Sequence, residues 1–482
     1  MTTNVKLQKI YESVQYKELV DRIRFLIVAV LTFVVLTNIV VPGINLEVWR
    51  DFIKTQGSLF TLFGIFTGGA LYNFSIISLG IIPYIDAAII MQLLIAGVPK
   101  LKSLQKDYGE EGRRKINFYT KWLAIAIATL QAFFATSALK KTNPVIFADN
   151  SPLGFMVVVI SLIAGSAFIM WLADQINEKG IGNGSSIIIF VSILFRLPSY
   201  IIETFNLGGS LLNSTIIIGV QILFFLFFVA IVSFLTLSIR KIPIMLTQRI
   251  VAGNKVVQQK STFLPLPLIA AGVLPIIFAV ALLYFPITIL QALGINQETF
   301  STNPVLKFIY QTIVPPNLVI PTELRPEILK TFLITLGWNI WHSIVYASLI
   351  IAFSYFYTFI VINVDDLTDY LNKSGAVIRG IKPGQSTKNF LENTLYKLAF
   401  IGGLALSMIT ILPPYLMYII NFVISKITGI QELSLGGLVG MYISGSSMLI
   451  IVGVVLDLLK QMNAYLVAVN PREVFKVKTR YQ

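Results

Sequence analysis

No cysteine occurs in the chain, and only one histidine, His342. Disulfides, thiolate catalysis and cysteine-ligated metals are thereby excluded, and so is a centre built on several histidines. His342 lies in the Trp-rich stretch "WNIWHSIVY" and reads as a packed helix residue. Charge is scarce as well, at 12% of the 482 residues. The glycine-rich "GIGNG" (Gly180 to Gly184) has neither the GK[ST] ending of a phosphate loop nor a soluble strand before it. It reads as a tight turn between two apolar spans. With no nucleotide-hydrolysing motif, energy would have to come from a partner or a gradient, and no cofactor is expected.

What the chain has is apolar length. Hydrophobic residues make up 56% of it, and the mean hydropathy is +0.79. That composition belongs to a polytopic membrane protein. Phe25 to Val41 carries no charge, and comparable runs recur at 74–98, 116–138, 154–172, 184–205, 212–239, 264–290, 333–361, 398–423 and 437–456. Ten spans are predicted. Lys6, Lys9, Lys17, Arg22 and Arg24 precede the first, which has no small-residue cleavage site and reads as a retained helix with a cytoplasmic N-terminus. On that topology the inner segments, with flanking span ends, collect 28 of the 37 Lys and Arg residues and the outer ones 9, as the retention of basic residues on the cytoplasmic side requires. The net charge of +14 then follows from topology and from attraction to anionic lipids, with a ribosome or another acidic partner as the sharper reading.

The expected layout is a cytoplasmic segment 1–24 and an N-terminal half within 25–239, whose sixth span, from about 212, already begins the second half. A polar loop follows at 240–265, then the remaining four spans within 266–457, interrupted by a second long loop at 363–397, and a cytoplasmic tail 458–482. Odd-numbered halves must be inverted relative to each other, which is the arithmetic of an inverted repeat with its site near the midplane. Loops as long and polar as these two usually bind something.

Within "SLGIIPYIDAAIIMQLL" (Ser78 to Leu94), Pro83 and Asp86 stand in an otherwise apolar run. Proline removes a backbone hydrogen bond and is expected to kink the span. A carboxyl at a bilayer centre costs about 2.5–3.5 kcal/mol, so Asp86 should face protein or water. One reading makes Asp86 the coupling carboxylate of a secondary transporter. A membrane enzyme would need converging ionisable groups, and Asp86, Arg196 and Glu203 do not converge by spacing.

Several blocks resemble the SecY family, the channel subunit of the Sec protein translocase, with details of the second helix like cyanobacterial and plastid versions. They are "GGALYNFSIISLGIIPYIDAAIIMQLL", "EEGRRKINFYTKW", "INEKGIGNGSSIIIF", "RKIPIMLTQRIVAGNKVVQQKSTFLPLPLIAAGVLPIIFAVALLYFP", "SGAVIRGIKPGQST" and "SGSSMLIIVGVVLD", in the family's order. The resemblance implies an all-α polytopic membrane protein of ten transmembrane helices, in two inverted five-helix halves around a central hourglass pore with a lateral gate toward lipid. It implies a protein-conducting channel rather than an enzyme. SecE and SecG would be its small membrane subunits, the SecA motor ATPase and translating ribosomes its cytoplasmic partners, and preprotein signal sequences its cargo. The bacterial inner membrane, or a plastid thylakoid, would be its site.

By the same resemblance Ile81, Ile85, Ile189, Ile277 and Ile409 fall on the pore ring, where apolar side chains seal by dewetting. Ser185 and Ala281 stand at two further ring positions that are usually bulky. The plug falls at about 59–71, with Leu62, Phe63, Gly64, Phe66, Gly68 and Gly69; an interfacial helix is the other reading of that stretch. The lateral gate falls on Asp86, Gln131 and Ile269. The family has a small polar residue and an asparagine where Asp86 and Ile269 stand, so an Asp86–Gln131 latch is expected. Docking of ribosome or motor falls on Arg249, Lys255 and Lys260 in the first loop and on Arg379 and Lys382 in the second. Lys382, in "GIKPG", replaces the family's arginine and keeps the charge but loses the planar fork.

Overall fold

The computed structural model describes residues 2–56, 67–207, 211–246, 251–252, 255–256, 261–292, 303–314, 326–428 and 445–469. In chain order the helices are α1 (Thr2–Leu36), α2 (Leu46–Gln56), α3 (Ile82–Gly97), α4 (Pro99–Asp107), α5 (Gly109–Thr142), α6 (Pro152–Lys179), α7 (Gly184–Leu207) and α8 (Leu211–Leu237). There follow strands β1 (Ile239–Leu246), β2 (Val251–Ala252), β3 (Lys255–Val256) and β4 (Ser261–Pro267), then α9 (Leu274–Ala292), α10 (Pro304–Ile313), α11 (Pro326–Val361) and α12 (Val364–Lys373). Strand β5 (Ala376–Ile378), α13 (Gln385–Thr428) and α14 (Gly445–Val469) complete the order. Among the described residues each of the ten apolar runs holds a helix, and six of these are long and apolar enough to cross a membrane. Helix α3 and the apolar stretches Gly184–Ser199 of α7 and Leu274–Leu283 of α9 are shorter.

Two spans begin later than their apolar runs. In the second, residues 67–81 form successive turns, and α3 starts at Ile82 with Pro83 in its first turn. Proline is favourable there because the first-turn N–H groups have no intrahelical acceptor to lose. Pro83 therefore starts a helix rather than kinking one. The turns satisfy their own polar groups: Ser78 Oγ donates to the carbonyls of Ser75 at 2.6 Å and Ala70 at 3.0 Å, and Ser75 N–H donates to Ala70 at 2.9 Å. In the seventh span, 261–267 are strand and the helix starts only at Leu274.

The chain forms two compact units. The first comprises Met1–Ser214, Tyr284–Tyr310 and Ile450–Gln482. One core here gathers Trp49 and Ile53 of α2 with Val41, Phe74, Ala132, Ile146 and Val158. The amphipathic sequence "LEVWRDFIKTQ" turns Trp49 fully inward, where its indole N–H donates to Leu71 O at 2.8 Å and its ring meets Phe74 edge-on. On α6, Gly165 permits a close approach: a Cβ there would lie 1.9 Å from the carbonyl oxygen of Ile76.

The α6–α7 connection is the tight turn predicted at "GIGNG". Asn177 Oδ1 accepts from Gly184 N–H at 2.7 Å, and Asn183 Oδ1 accepts from the N–H groups of Ser185 and Ser186, capping α7. Arg22 of α1 donates to Gly180 O at 3.1 Å, and Gly182 N–H donates to Gln461 Oε1 of α14 at 2.7 Å. The turn is thus tied to the first and last helices of its unit.

The second unit comprises Thr215–Leu283 and Gln311–Leu449. Helices α11 and α13 pack closely, with Ser354 Oγ donating to Ala399 O at 3.2 Å. The two long polar loops add a three-stranded antiparallel sheet, order β4-β1-β5, to the helical architecture. Strand alternation directs Ile242, Ile244, Leu266, Ala376 and Ile378 to one face, where they form a core with Val364 and Leu371 of α12 and Leu391 and Leu395 of α13. Asn363 caps α12 by accepting from Asp365 N–H at 3.1 Å, and Asp365 pairs with Lys388.

Candidate functional site

The carboxyl of Asp86 is the group whose placement needs most explanation. It sits one turn into α3, is 7% exposed, and lies between the buried residues Ile85 and Ala87. The facing helix presents small residues every fourth position, Ala124, Ala128 and Ala132, all buried. Spacing of four puts them on one face, and their size lets α3 and α5 approach closely, as small residues do between helices in lipid. Ala87 packs there against Ala124 and Met170 of α6. Gln131, beside this stripe, reaches across, and its Nε2 donates to Asp86 Oδ2 at 3.1 Å.

Hydrogen bonds to a carboxyl are worth about 1.5–3 kcal/mol where loss of the partner leaves a buried acceptor. Gln131→Leu should therefore lower stability by about 2 kcal/mol, read as a drop in the thermal midpoint in detergent. Gln131→Glu, which can donate only when protonated, should make that loss larger at alkaline pH than at acid pH. An unchanged midpoint in both variants would mean that the bond carries no weight.

The ring isoleucines divide between the units. Ile81, Ile85 and Ile189 are buried in the first, and Ile277 and Ile409 in the second. Ile81 lies just ahead of α3 at its N-cap, its carbonyl accepting the N–H of Ile85 at 3.1 Å. Gly445, at the start of α14, lies so close to α13 that a Cβ would sit 1.8 Å from the carbonyl oxygen of Ile409. Ile269 is buried in the turn before α9 rather than on the helix, and its carbonyl accepts the N–H of Gly272 at 3.3 Å.

Of the expected plug, Leu62, Phe63, Gly64 and Phe66 lie outside the described residues. Gly68 and Gly69 lie within them, in turns with φ of +63° and +82°. A Cβ on Gly68 would come within 3.1 Å of the backbone of Ser192 on α7. Among the docking residues, Arg249 and Lys260 fall outside the described residues, and Lys255 is in the short β2–β3 hairpin, paired with Ala252. Arg379 and Lys382 are exposed just after β5. The Lys382 carbonyl accepts from Thr387 Oγ at 2.9 Å, which pins the turn that presents its side chain.

Two polar contacts had no counterpart in the reading of the sequence. Lys121 of α5 pairs with Asp174 of α6 at 2.7 Å, although opposite charges near the ends of neighbouring spans were a usable signal. The lone histidine is bonded as well as packed. His342 Nδ1 is 2.9 Å from the carbonyl oxygen of Thr312, so Nδ1 carries the hydrogen. Among the described residues no group of His, Asp and Glu is arranged to hold a metal ion.

Comparison with known proteins covers nearly the whole chain. The sequence model of the SecY family matches residues 75–459. A "Protein translocase subunit SecY" of Aquifex aeolicus is 35% identical over 462 residues, 94% of this chain and 96% of that relative. Two solved structures share the fold. One is a SecY protein described for the role of its plug domain in stabilising the closed channel, with TM-score 0.59, 16% identity, and 94% of this chain and 93% of that one covered. The other is Sec61 in the canine ribosome–channel complex, with TM-score 0.54, 17% identity, and the same shares covered.

Proposed function

The chain belongs to the SecY family, and from that premise we propose how its residues divide the work of moving unfolded preproteins across a membrane and releasing apolar segments sideways into lipid. It is a multi-pass membrane protein and a protein-conducting channel, in a family of translocon channels rather than enzymes. The observation that carries this is 35% identity to a protein translocase subunit along almost the full length of both chains. A secondary transporter is not favoured.

Ile81, Ile85, Ile189, Ile277 and Ile409 form the apolar constriction, a role their burial and lack of polar atoms support. The segment 59–71 is the plug, and the left-handed turns at Gly68 and Gly69 suit a piece of chain that must fold back on itself. Helices α3 and α5, with Asp86 and Gln131, form one side of the lateral gate, and Ile269 belongs to the other. Arg249, Lys255, Lys260, Arg379 and Lys382 dock the ribosome and the SecA motor. SecE and SecG complete the complex, and preprotein signal sequences open it. Both termini are cytoplasmic, in a bacterial inner membrane or a thylakoid, as the excess of Lys and Arg on one side supports.

Purification in mild detergent should bring down two small membrane subunits and, from translating cells, ribosomes; recovery of neither would contradict the assignment. The triple reversal Arg249→Glu, Arg379→Glu and Lys382→Glu should weaken ribosome binding and flatten its dependence on log salt by about 2–3 in slope. The folded channel should persist, since Arg379 and Lys382 are exposed and support no core. Wild-type affinity and slope in the triple variant would remove these residues from the interface.

A further inference from the structure

Asp86 is half-satisfied. Gln131 supplies its one hydrogen bond among the described residues, to Oδ2, and Oδ1 receives none. Nor does a cation among the described residues pair with the group. Helix α3 carries no Lys or Arg. On α5 the basic residues flanking Gln131 are Lys121 and Lys140, ten and nine positions away, which is roughly 14–15 Å along a helix. Both are engaged, Lys121 with Asp174 and Lys140 with the carbonyl oxygen of Asn150. A carboxyl in an apolar helix with one bonded oxygen and no counter-ion among the described residues is costly, and an amide or hydroxyl at the same place would meet Gln131 more cheaply.

We propose that the second carboxyl oxygen of Asp86 is a recognition point for cargo: it receives a hydrogen-bond donor, above all an ammonium or guanidinium group, carried within an apolar segment that passes along the α3–α5 side of the gate. The residue thereby sets specificity. A basic side chain in the middle of a signal segment, which lipid and an apolar constriction would both reject, finds here a charge-assisted hydrogen bond in low dielectric. This rests on the reading of α3 and α5 as gate helices. Gln131 holds the carboxyl in place, and the cargo's donor takes the oxygen that Gln131 leaves.

The test uses the full complex in proteoliposomes with its motor and ATP, and three preproteins identical except for the central residue of the signal segment: Leu, Lys or Glu. Transport of the Lys and Glu cargoes is expressed relative to the Leu cargo for wild type, Asp86→Asn and Asp86→Leu. The Lys-to-Leu ratio should fall about tenfold in both variants, the worth of one charge-assisted hydrogen bond, while the Glu-to-Leu ratio should rise. Asp86→Asn is nearly isosteric and guards against misfolding of the leucine variant. Equal Lys-to-Leu ratios in wild type and Asp86→Asn would overturn the proposal. Failure of the wild type to move the Leu cargo would instead overturn the channel reading on which it rests.

Discussion

Replacing Ile85 or Ile409 with Asn should turn a channel that is tight at rest into one that leaks ions. An apolar constriction excludes ions because water leaves it, and one amide gives water a foothold there. A barrier lowered by about 1.4 kcal/mol already means about tenfold more conductance, and a fully wetted ring should exceed that. The same change should admit preproteins with weakly hydrophobic signals, since less energy would be needed to open the seal. Both side chains are buried and carry no hydrogen-bond partners, so an Ile→Val control at each position should keep the seal with only a small loss of stability. Planar-bilayer recordings of resting current check the effect. Unchanged current in both Asn variants would take these residues out of the constriction.

The second large effect is expected at Gly165. Its Cβ position is 1.9 Å from the carbonyl oxygen of Ile76, and that oxygen belongs to the turns that run directly into Ile81 and α3. Backbone cannot swing aside as a side-chain tip can, so Gly165→Val must displace either α6 or the 75–77 segment. Overpacking costs about 1–3 kcal/mol and more when backbone has to move. Gly165→Val should therefore lower the thermal midpoint by several degrees and, by moving Ile81, also raise resting conductance. Gly219, where a Cβ would meet nothing within 4 Å, is the control. A midpoint for Gly165→Val equal to that of Gly219→Val would contradict the packing.

The ten helical spans were legible because lipid demands long apolar runs, and such runs survive in a single sequence without help from packing. The Asp86–Gln131 contact was expected on other grounds: the resemblance to the SecY gate supplied the pairing, while the apolar run alone said only that Asp86 should face protein or water. Helix starts were less so. An apolar run does not reveal where turns give way to helix, so Pro83 looked like a kink although it stands in a first turn, and Ile269 looked helical although it lies before α9. The sheet was hidden by distance and composition. Strands β1 and β4 contain Pro243, Pro265 and Pro267, and β5 joins them from more than a hundred residues away. Its trace was the alternation of Ile242 and Ile244, repeated in Leu264 and Leu266, which a period-two reading of the polar loops would have found. The tie from Gln461 to Gly182 depends on which helices become neighbours, and spacing along the chain does not carry that information.

Transport itself is the most direct test. The purified complex, reconstituted into proteoliposomes with the SecA motor and ATP, should carry a signal-bearing preprotein into a protease-protected lumen and should carry none when the signal is removed. A complex that leaves the preprotein exposed to protease under these conditions, yet drives uptake of a small solute on an imposed ion gradient and loses that uptake in Asp86→Asn, would contradict the channel and establish the transporter in its place.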